Sequence, residues 1–425
     1  GQESGSLQDP ADMNANPPLQ NASNAAEAQT AVFAIVLALS LCHLLNDMMQ
    51  SLLPAIYPML KLNYGLSFGQ IGFLTFAFQV TASLLQPMIG AYADKRPLTY
   101  SLPVGMGFTF VGLVTLALAG HYSYLILGAC MVGIGSAVFH PESSRVARLA
   151  SGGLHGTAQS VFQVGGNIGS AAGPLLAAFI VVPAGQKSVV WFSLAALLGM
   201  IVLSRVSAWY GRHRRATARS GSGESAPRFP RRVVARTITV LVALVFSKFV
   251  YMASMTSYFI FYLMHRFGLS VQAAQVHLFL FLGAVALGTV IGGPIGDRIG
   301  AKRVIWVSIL GILPFTLALP YADLTWTTVL SVTIGVVLAS AFPAIIVFGQ
   351  EILPGRVGMV AGLFFGFAFG LGGIAAAALG ALADLKGIEW VYSACSFLPA
   401  LGLLAVFLPD IRRMKTGEEG APLVV

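Results

Sequence analysis

A bilayer core about 30 Å thick needs roughly 20 apolar residues per helix, and this chain supplies twelve such segments in succession. They fall at about 32–59, 70–92, 99–119, 122–148, 157–183, 188–209, 237–264, 272–296, 302–320, 326–350, 357–383 and 388–409. Of the 425 residues, 56% are hydrophobic and only 10% are charged, whereas a soluble domain carries about a quarter charged. Such a chain cannot hide its apolar surface in a water-soluble core and needs lipid as solvent. The expected fold class is an all-α membrane protein with twelve transmembrane helices. Gly and Pro inside several segments do not count against this, because membrane helices tolerate both. Cys42, Cys130 and Cys395 lie in apolar runs with neither zinc nor disulfide spacing and read as small buried side chains. No metal and no cofactor is expected.

The basic residues predict an orientation. Of the 25 Lys and Arg, only Lys61, Lys187, Arg266 and Lys386 fall on one side, and Lys248 lies within a span. The remainder fall in segments, or at helix ends, on the side that also carries both termini. The positive-inside rule makes that side cytoplasmic. The net charge of +9, concentrated in Arg212–Arg236, is thereby a topology signal with lipid contact, and no nucleic-acid partner is expected. Residues 1–31 lack Lys, Arg and an apolar core, so they match neither a signal peptide nor a transit peptide. The expected organisation is a disordered cytoplasmic tail (1–31), a six-helix bundle (32–209) and a basic cytoplasmic linker (210–236). A second six-helix bundle (237–409) and a cytoplasmic tail (410–425) follow, in a monomer.

The two halves are related. Gly65-Leu66-Ser67 recurs as Gly268-Leu269-Ser270, and Gly90 and Asp94 recur as Gly293 and Asp297, all at an offset of 203. Pro141, Gly156 and Phe162 pair with Pro343, Gly358 and Phe364 at 202. Six spans return the chain to its starting side, so the halves are parallel repeats about an axis along the membrane normal.

This arrangement resembles the major facilitator superfamily. Gly293-Pro-Ile-Gly-Asp297-Arg298-Ile-Gly300-Ala-Lys302-Arg303 is similar to the superfamily's loop signature between spans 8 and 9, and Gly90-Ala-Tyr-Ala-Asp94-Lys95-Arg96 is its weaker copy between spans 2 and 3. The resemblance implies gating and structural roles for Gly90, Asp94, Lys95, Gly293, Asp297 and Arg298. In span 5, Gly169-x-x-x-Gly173-Pro174 is similar to a motif of drug–proton antiporters, although Leu175-Leu176-Ala177 departs from its usual continuation. Small residues four apart allow close helix packing, and Pro174 is expected to kink the span. Where the superfamily carries a span-4 arginine ahead of Gly133-Ile-Gly135, this chain has Ala129.

A more specific resemblance, from about Leu39 to Pro409, is to the bacterial fosmidomycin resistance proteins. It rests on polar strings inside spans: His43-Leu-Leu-Asn46-Asp47-Met-Met-Gln50-Ser51, Ser83-Leu-Leu-Gln86-Pro87, Val138-Phe-His140-Pro141-Glu142-Ser143-Ser144-Arg145-Val-Ala-Arg148, Gln159-Ser-Val-Phe-Gln163-Val-Gly-Gly-Asn167, Phe246-Ser247-Lys248 and Gln350-Glu351-Ile-Leu-Pro354-Gly-Arg356. That family implies proton-driven export of fosmidomycin, a small phosphonate antibiotic, across the bacterial inner membrane.

Charge at the bilayer centre costs about 2.5–3.5 kcal/mol on insertion scales, so each such group carries a functional presumption. Asp47 lies near the middle of span 1 with His43 one turn away on the same face, and Glu142 is three residues from Arg145 on span 4. Asp47, His43 and Glu142 are the candidate proton-coupling groups. His140, two residues from Glu142, is expected to point partly away. Lys248, in the core of span 7, is the candidate cation for a small anionic substrate. Arg145 is either a second contact or the partner of Glu142, and Asn46, Gln50, Gln163, Asn167 and Tyr251 are candidate neutral contacts. Phe364, Phe365, Phe367 and Phe369 are expected mostly to pack. Two rivals remain open: uptake of an anionic nutrient such as an organophosphate, and an intramembrane enzyme using His43, His140 and Glu142. The enzyme lacks any evident metal-ligand spacing or nucleophile–base pair.

Overall fold

The computed structural model describes residues 17–66, 68–219 and 229–411. Among them, twelve helices are long and apolar enough to cross a membrane. In chain order these are span 1 (Val32–Ala55), span 2 (Phe73–Lys95), span 3 (Ser101–Leu118), span 4 (Tyr122–Ala150), span 5 (His155–Ala184) and span 6 (Gln186–Arg215). Then come span 7 (Arg231–Phe267), span 8 (Val276–Ile299), span 9 (Ala301–Tyr321), span 10 (Leu324–Ile352), span 11 (Pro354–Lys386) and span 12 (Ile388–Phe407).

Boundaries differ from the sequence reading at the basic linker, into which helices reach as far as Arg219 and from Arg231, and at the N-terminal tail. The first helix begins at Pro17 and runs to Ala55, so part of the tail expected to be disordered is helical. Two prolines suit a first helical turn, where the missing N–H is not needed, and the Ala-rich stretch that follows has high helix propensity. Residues 1–16, and residues 412–425 of the C-terminal tail, lie outside the described residues, as do residues 220–228 of the basic linker. The Gly-Leu-Ser repeat also gains a physical reason. Gly65 and Gly268 both end helices in the left-handed conformation, with φ of 60° and 66°, where a side chain would strain the backbone.

Within the first half, span 5 lies directly against span 1. A Cβ on Gly165, Gly169 or Gly173 would overlap the Ser40 carbonyl, the Leu44 carbonyl and the Ser51 hydroxyl in turn. This column of glycines every fourth residue brings the two backbones together, the approach that small residues give membrane helices. The helix continues through the Pro174 backbone and widens into a π-turn at Ala177–Val181.

The halves meet along spans 2 and 11 and along spans 5 and 8, and the contact is tightest at the end where Asp94 and Asp297 lie. This is the end that carries most of the Lys and Arg, and we call it the basic end. Cβ atoms on Gly362 and Gly366 of span 11 would overlap the backbone of Gln86 and Ser83 of span 2, and one on Gly90 would overlap the Gly358 backbone. Beyond that level the helices part: a Cβ on Gly370 would sit 3.8 Å from Ser83 Oγ, and one on Gly373 would sit 4.0 Å from Gln79 Nε2. The apolar core follows the same pattern. One cluster joins the first half to basic-end residues of the second, such as Phe342, Phe364 and Phe365. A separate cluster of Tyr251, Met255, Phe259, Tyr262, Phe281 and Tyr392 belongs to the second half alone.

Candidate functional site

Span 1 places Asn46, Asp47 and Gln50 inward, and span 4 meets it with His140. Asp47 Oδ2 lies 3.3 Å from His43 Nε2, and Asp47 Oδ1 lies 3.2 Å from His140 Nε2. Both imidazoles are fully buried and Asp47 is 4% exposed. Gly166 makes room for this, since a Cβ there would overlap the His43 ring. The Asn46 and Gln50 side-chain amides donate to Asp47 Oδ1 at 3.1 and 3.3 Å, and the Ser170 hydroxyl reaches Oδ2 at 3.4 Å. Asn46 and Gln50, expected as substrate contacts, each give an amide hydrogen to the carboxylate in this structure.

Each ring has an acceptor at both nitrogens. His43 Nδ1 faces the Phe162 carbonyl at 2.7 Å, and His140 Nδ1 faces the Ser136 carbonyl at 3.0 Å with the Ser136 hydroxyl at 3.2 Å. A carbonyl and a carboxylate both only accept, so a ring satisfies both neighbours only when both of its nitrogens carry a hydrogen. A neutral ring leaves one of the two contacts without a proton. The cluster has room for two exchangeable protons between three groups. The ligand atoms of His43, Asp47 and His140 also lie within 4.8 Å of one another, and an Nδ1–H given to a carbonyl is the usual support of a metal-bound histidine. A divalent metal ion would compete with the protons for the same atoms.

The second half closes over this cluster. Phe365 and Phe369 of span 11 each lie 5.0 Å from the His140 ring, and Phe162 stacks on His43 at 4.1 Å. Phe365 in turn meets Phe342 edge-to-face at 5.2 Å. Phe342 and Phe249 flank Lys248, whose ammonium lies 5.2 and 5.1 Å from the two rings. Cation–π contacts of this kind hold an ammonium without neutralising it. Lys248 is 8% exposed, and among the described residues no carboxylate pairs with it. The aromatic residues thus run unbroken from the histidines of one half to the lysine of the other.

The family profile of the Major Facilitator Superfamily matches residues 39–377. The chain belongs to the Major Facilitator Superfamily. It is a transporter, not an enzyme. It is 59% identical over 391 residues to the fosmidomycin resistance protein of Escherichia coli, covering 92% of this chain and 96% of that one. It is also 38% identical over 389 residues to an uncharacterized MFS-type transporter of Bacillus subtilis, covering 91% and 95%. Among solved structures, the transporter FucP in an outward conformation matches with a TM-score of 0.71 at 15% identity, over 90% of this chain and all of that one. The human organic anion transporter MFSD10 matches with a TM-score of 0.65 at 15% identity, over 88% and 99%. At these identities the two structures speak to the fold alone.

The superfamily's signature loops act as a pair of clamps. Asp94 accepts from the Gly358 and Met359 amides at 2.9 and 2.8 Å, at the start of span 11. Asp297 accepts from the Gly156 and Thr157 amides at 2.7 and 2.8 Å, at the start of span 5. Each carboxylate caps a helix of the opposite half, where orphan N–H groups and the helix dipole favour an anion. Gly90 and Gly293 provide the close approach, while Lys95 and Arg298 are exposed nearby.

The remaining candidates are dispersed. Glu142 does not join Asp47. Its Oε2 accepts from Arg145 Nη2 at 2.6 Å and from Ser101 at 3.0 Å, toward the basic end. Arg145 also donates to the Ala93 carbonyl at 3.2 Å and lies over the Tyr210 ring, so it is the partner of Glu142. Gln163 donates to Asn167 at 3.2 Å, and Asn167 donates to Thr289 across the halves at 3.3 Å. Tyr251, expected beside Lys248, is 2% exposed in the second half's own core, where its ring finds apolar neighbours. Sequence reasoning turned His140 partly away and did not consider Phe342 for the site. The available signal was the repeat, in which Phe342-Pro343 stands where the first half has His140-Pro141.

Proposed function

We propose that this transporter exports a small anionic antimicrobial, a fosmidomycin-like phosphonate, in exchange for protons. Both termini lie on the cytoplasmic face of the bacterial inner membrane. The observation that carries the reading is the pairing of an uncompensated cation in one half with a proton-accepting cluster in the other. A phosphonate entering a mid-membrane cavity loses hydration and needs a positive charge there. Lys248, beside two rings and with no carboxylate partner among the described residues, answers that need. The Asp47 cluster sits behind Phe365, on the same element that touches Phe342 beside Lys248. A change in ring packing on protonation therefore alters the surroundings of the cation.

In this orientation the closed basic end faces the cytoplasm and the parted ends of the halves face outward. In the antiport cycle protons would reach His43, Asp47 and His140 from outside once the anion has left. The similarity to the Escherichia coli fosmidomycin resistance protein supports the choice of substrate. The deciding experiment is flux in proteoliposomes of purified protein. An imposed proton gradient should drive fosmidomycin against its concentration, with measurable proton counter-movement. Gradient-independent equilibration alone would refute coupling, and accumulation in the same direction as the protons would refute antiport.

A further inference from the structure

We propose that the basic end carries a second anion site, a vestibule for phosphate-type oxyanions between the ends of spans 2, 4 and 6 and the start of span 11. The cavity measures about 600 Å³. Arg145, Arg148, Arg214, His155 and His213 line it, with Asp94 as the one carboxylate of its wall. Both Asp94 oxygens already serve the Gly358 and Met359 amides. Arg145 is 8% exposed, yet its Nε has no hydrogen-bond partner, and neither has the buried Nη1 of Arg148. Leaving a buried charged donor without an acceptor is costly, so these atoms call for one. Glu142 is taken up by Arg145 Nη2. Glu351 lies within electrostatic range of Arg148 but belongs to the wall of a different cavity.

That different cavity is an internal control supplied by the repeat. It lies between spans 8, 9, 10 and 12 and the start of span 5, measures about 240 Å³, and balances Lys302 and Arg303 with Asp297, Glu351 and Asp410. At the repeat offset of 202, Arg145 and Arg148 correspond to Val347 and Gln350. The corresponding corner of the second half carries no arginine in span 10, so packing of that helix alone does not call for the pair in span 4. A tetrahedral oxyanion offers several acceptors to the rigid guanidinium forks and fits them better than it would fit point-charge lysines. The ligand's identity rests on the proposed function, in which the phosphonate reaches this vestibule from the cytoplasm before it reaches Lys248. A phospholipid headgroup presents the same phosphate chemistry.

The test uses the full transporter in zwitterionic phosphatidylcholine nanodiscs with Lys248→Ala, so that the central cation is absent. Methylphosphonate is titrated and followed by phosphorus NMR line broadening. Saturable, salt-sensitive broadening is expected. Arg148→Gln with Arg214→Gln should weaken it at least about tenfold, the scale of losing charge-assisted hydrogen bonds. Arg303→Gln in the other cavity should leave it unchanged. Arg148→Lys, which keeps charge and bulk, should retain part of the affinity and guards against a folding artefact. If phosphatidylglycerol in the disc suppresses the broadening, and native mass spectrometry finds that lipid bound only when both arginines are present, the headgroup is the occupant and the oxyanion site stands. Absence of both signals, or signals untouched by the double substitution, overturns the vestibule. Because Lys248 is removed throughout, that failure leaves proton-driven export by the intact protein standing.

Discussion

His140 Nε2 lies 3.2 Å from Asp47 Oδ1, across 93 residues of sequence and two helices. With His43 on the other carboxylate oxygen, Asp47 is held between two rings whose Nδ1 atoms face backbone carbonyls. The carboxylate and the two rings share whatever protons the cluster holds.

Asp47→Asn should therefore abolish proton-driven accumulation while leaving exchange of labelled for unlabelled substrate within a few-fold of wild type. The amide keeps the hydrogen-bonding shape but cannot titrate. His140→Gln keeps a neutral donor and removes one proton position, so gradient-driven transport should fall and its dependence on pH should become shallower. Measurement of both modes in the same vesicles decides. Undiminished accumulation by Asp47→Asn would move coupling elsewhere.

Phe365 touches both histidines' surroundings and the Phe342 ring beside Lys248. Phe365→Leu keeps an apolar side chain and removes the edge-to-face contacts, which are worth about 0.5–1.5 kcal/mol each. The expected phenotype is uncoupling: substrate binding within about threefold of wild type, with protons leaking when substrate is absent. Simultaneous records of proton and substrate flux test this. A variant with normal coupling ratio would reduce Phe365 to packing.

The twelve spans were legible because length and hydropathy are local properties, and the repeat was legible because Gly65 and Gly268 answer the same local backbone demand and Asp94 and Asp297 the same capping demand across the halves. The site was legible only in part. His140 and Glu142 are two residues apart, which on an α-helix puts them on nearly opposite faces. Sequence pairs Glu142 with Arg145 on one face of span 4 and turns His140 partly away, but it cannot say which of the two faces meets span 1. The structure turns Glu142 toward Ser101 and Arg145. Contacts between halves, such as Phe365 on His140, leave no periodic trace because they depend on how two separate bundles meet. Burial of Tyr251 was not legible either: three residues from Lys248, its ring packs in the second half's own core.

Asp94 and Asp297 should set the balance between conformations. Each makes two charge-assisted hydrogen bonds to a helix N-terminus of the other half, and bonds to charged groups are worth roughly 1.5–3 kcal/mol apiece. Asp94→Asn or Asp297→Asn should weaken closure of the basic end. Ser144, which accepts from Gln350 across the seam at 3.1 Å and is fully buried, is a suitable reporter. A cysteine there should react with a soluble maleimide at least about tenfold faster in either clamp variant, the effect of roughly 1.4 kcal/mol on an opening equilibrium. Equal rates would mean that the clamps do not limit opening.

Lys248 carries the final prediction. Its ammonium rests between Phe249 and Phe342 with no carboxylate partner among the described residues, so its charge is free for an incoming anion. Lys248→Ala should weaken fosmidomycin binding by about 2–5 kcal/mol, the range for truncating one partner of a buried charge pair. Lys248→Arg need not restore it. The guanidinium is a planar fork and not a compact point charge, so it presents its donors in a different geometry. Lys248→Met, which keeps most of the length without the charge, separates electrostatics from packing and should behave like the alanine variant. Fosmidomycin titrations on detergent-solubilised protein measure all three. Unchanged affinity in Lys248→Ala and Lys248→Met would end the ligand role of this residue, even if transport were lost, because an effect on transport alone would place Lys248 in the motion of the halves and not in the grip on the substrate.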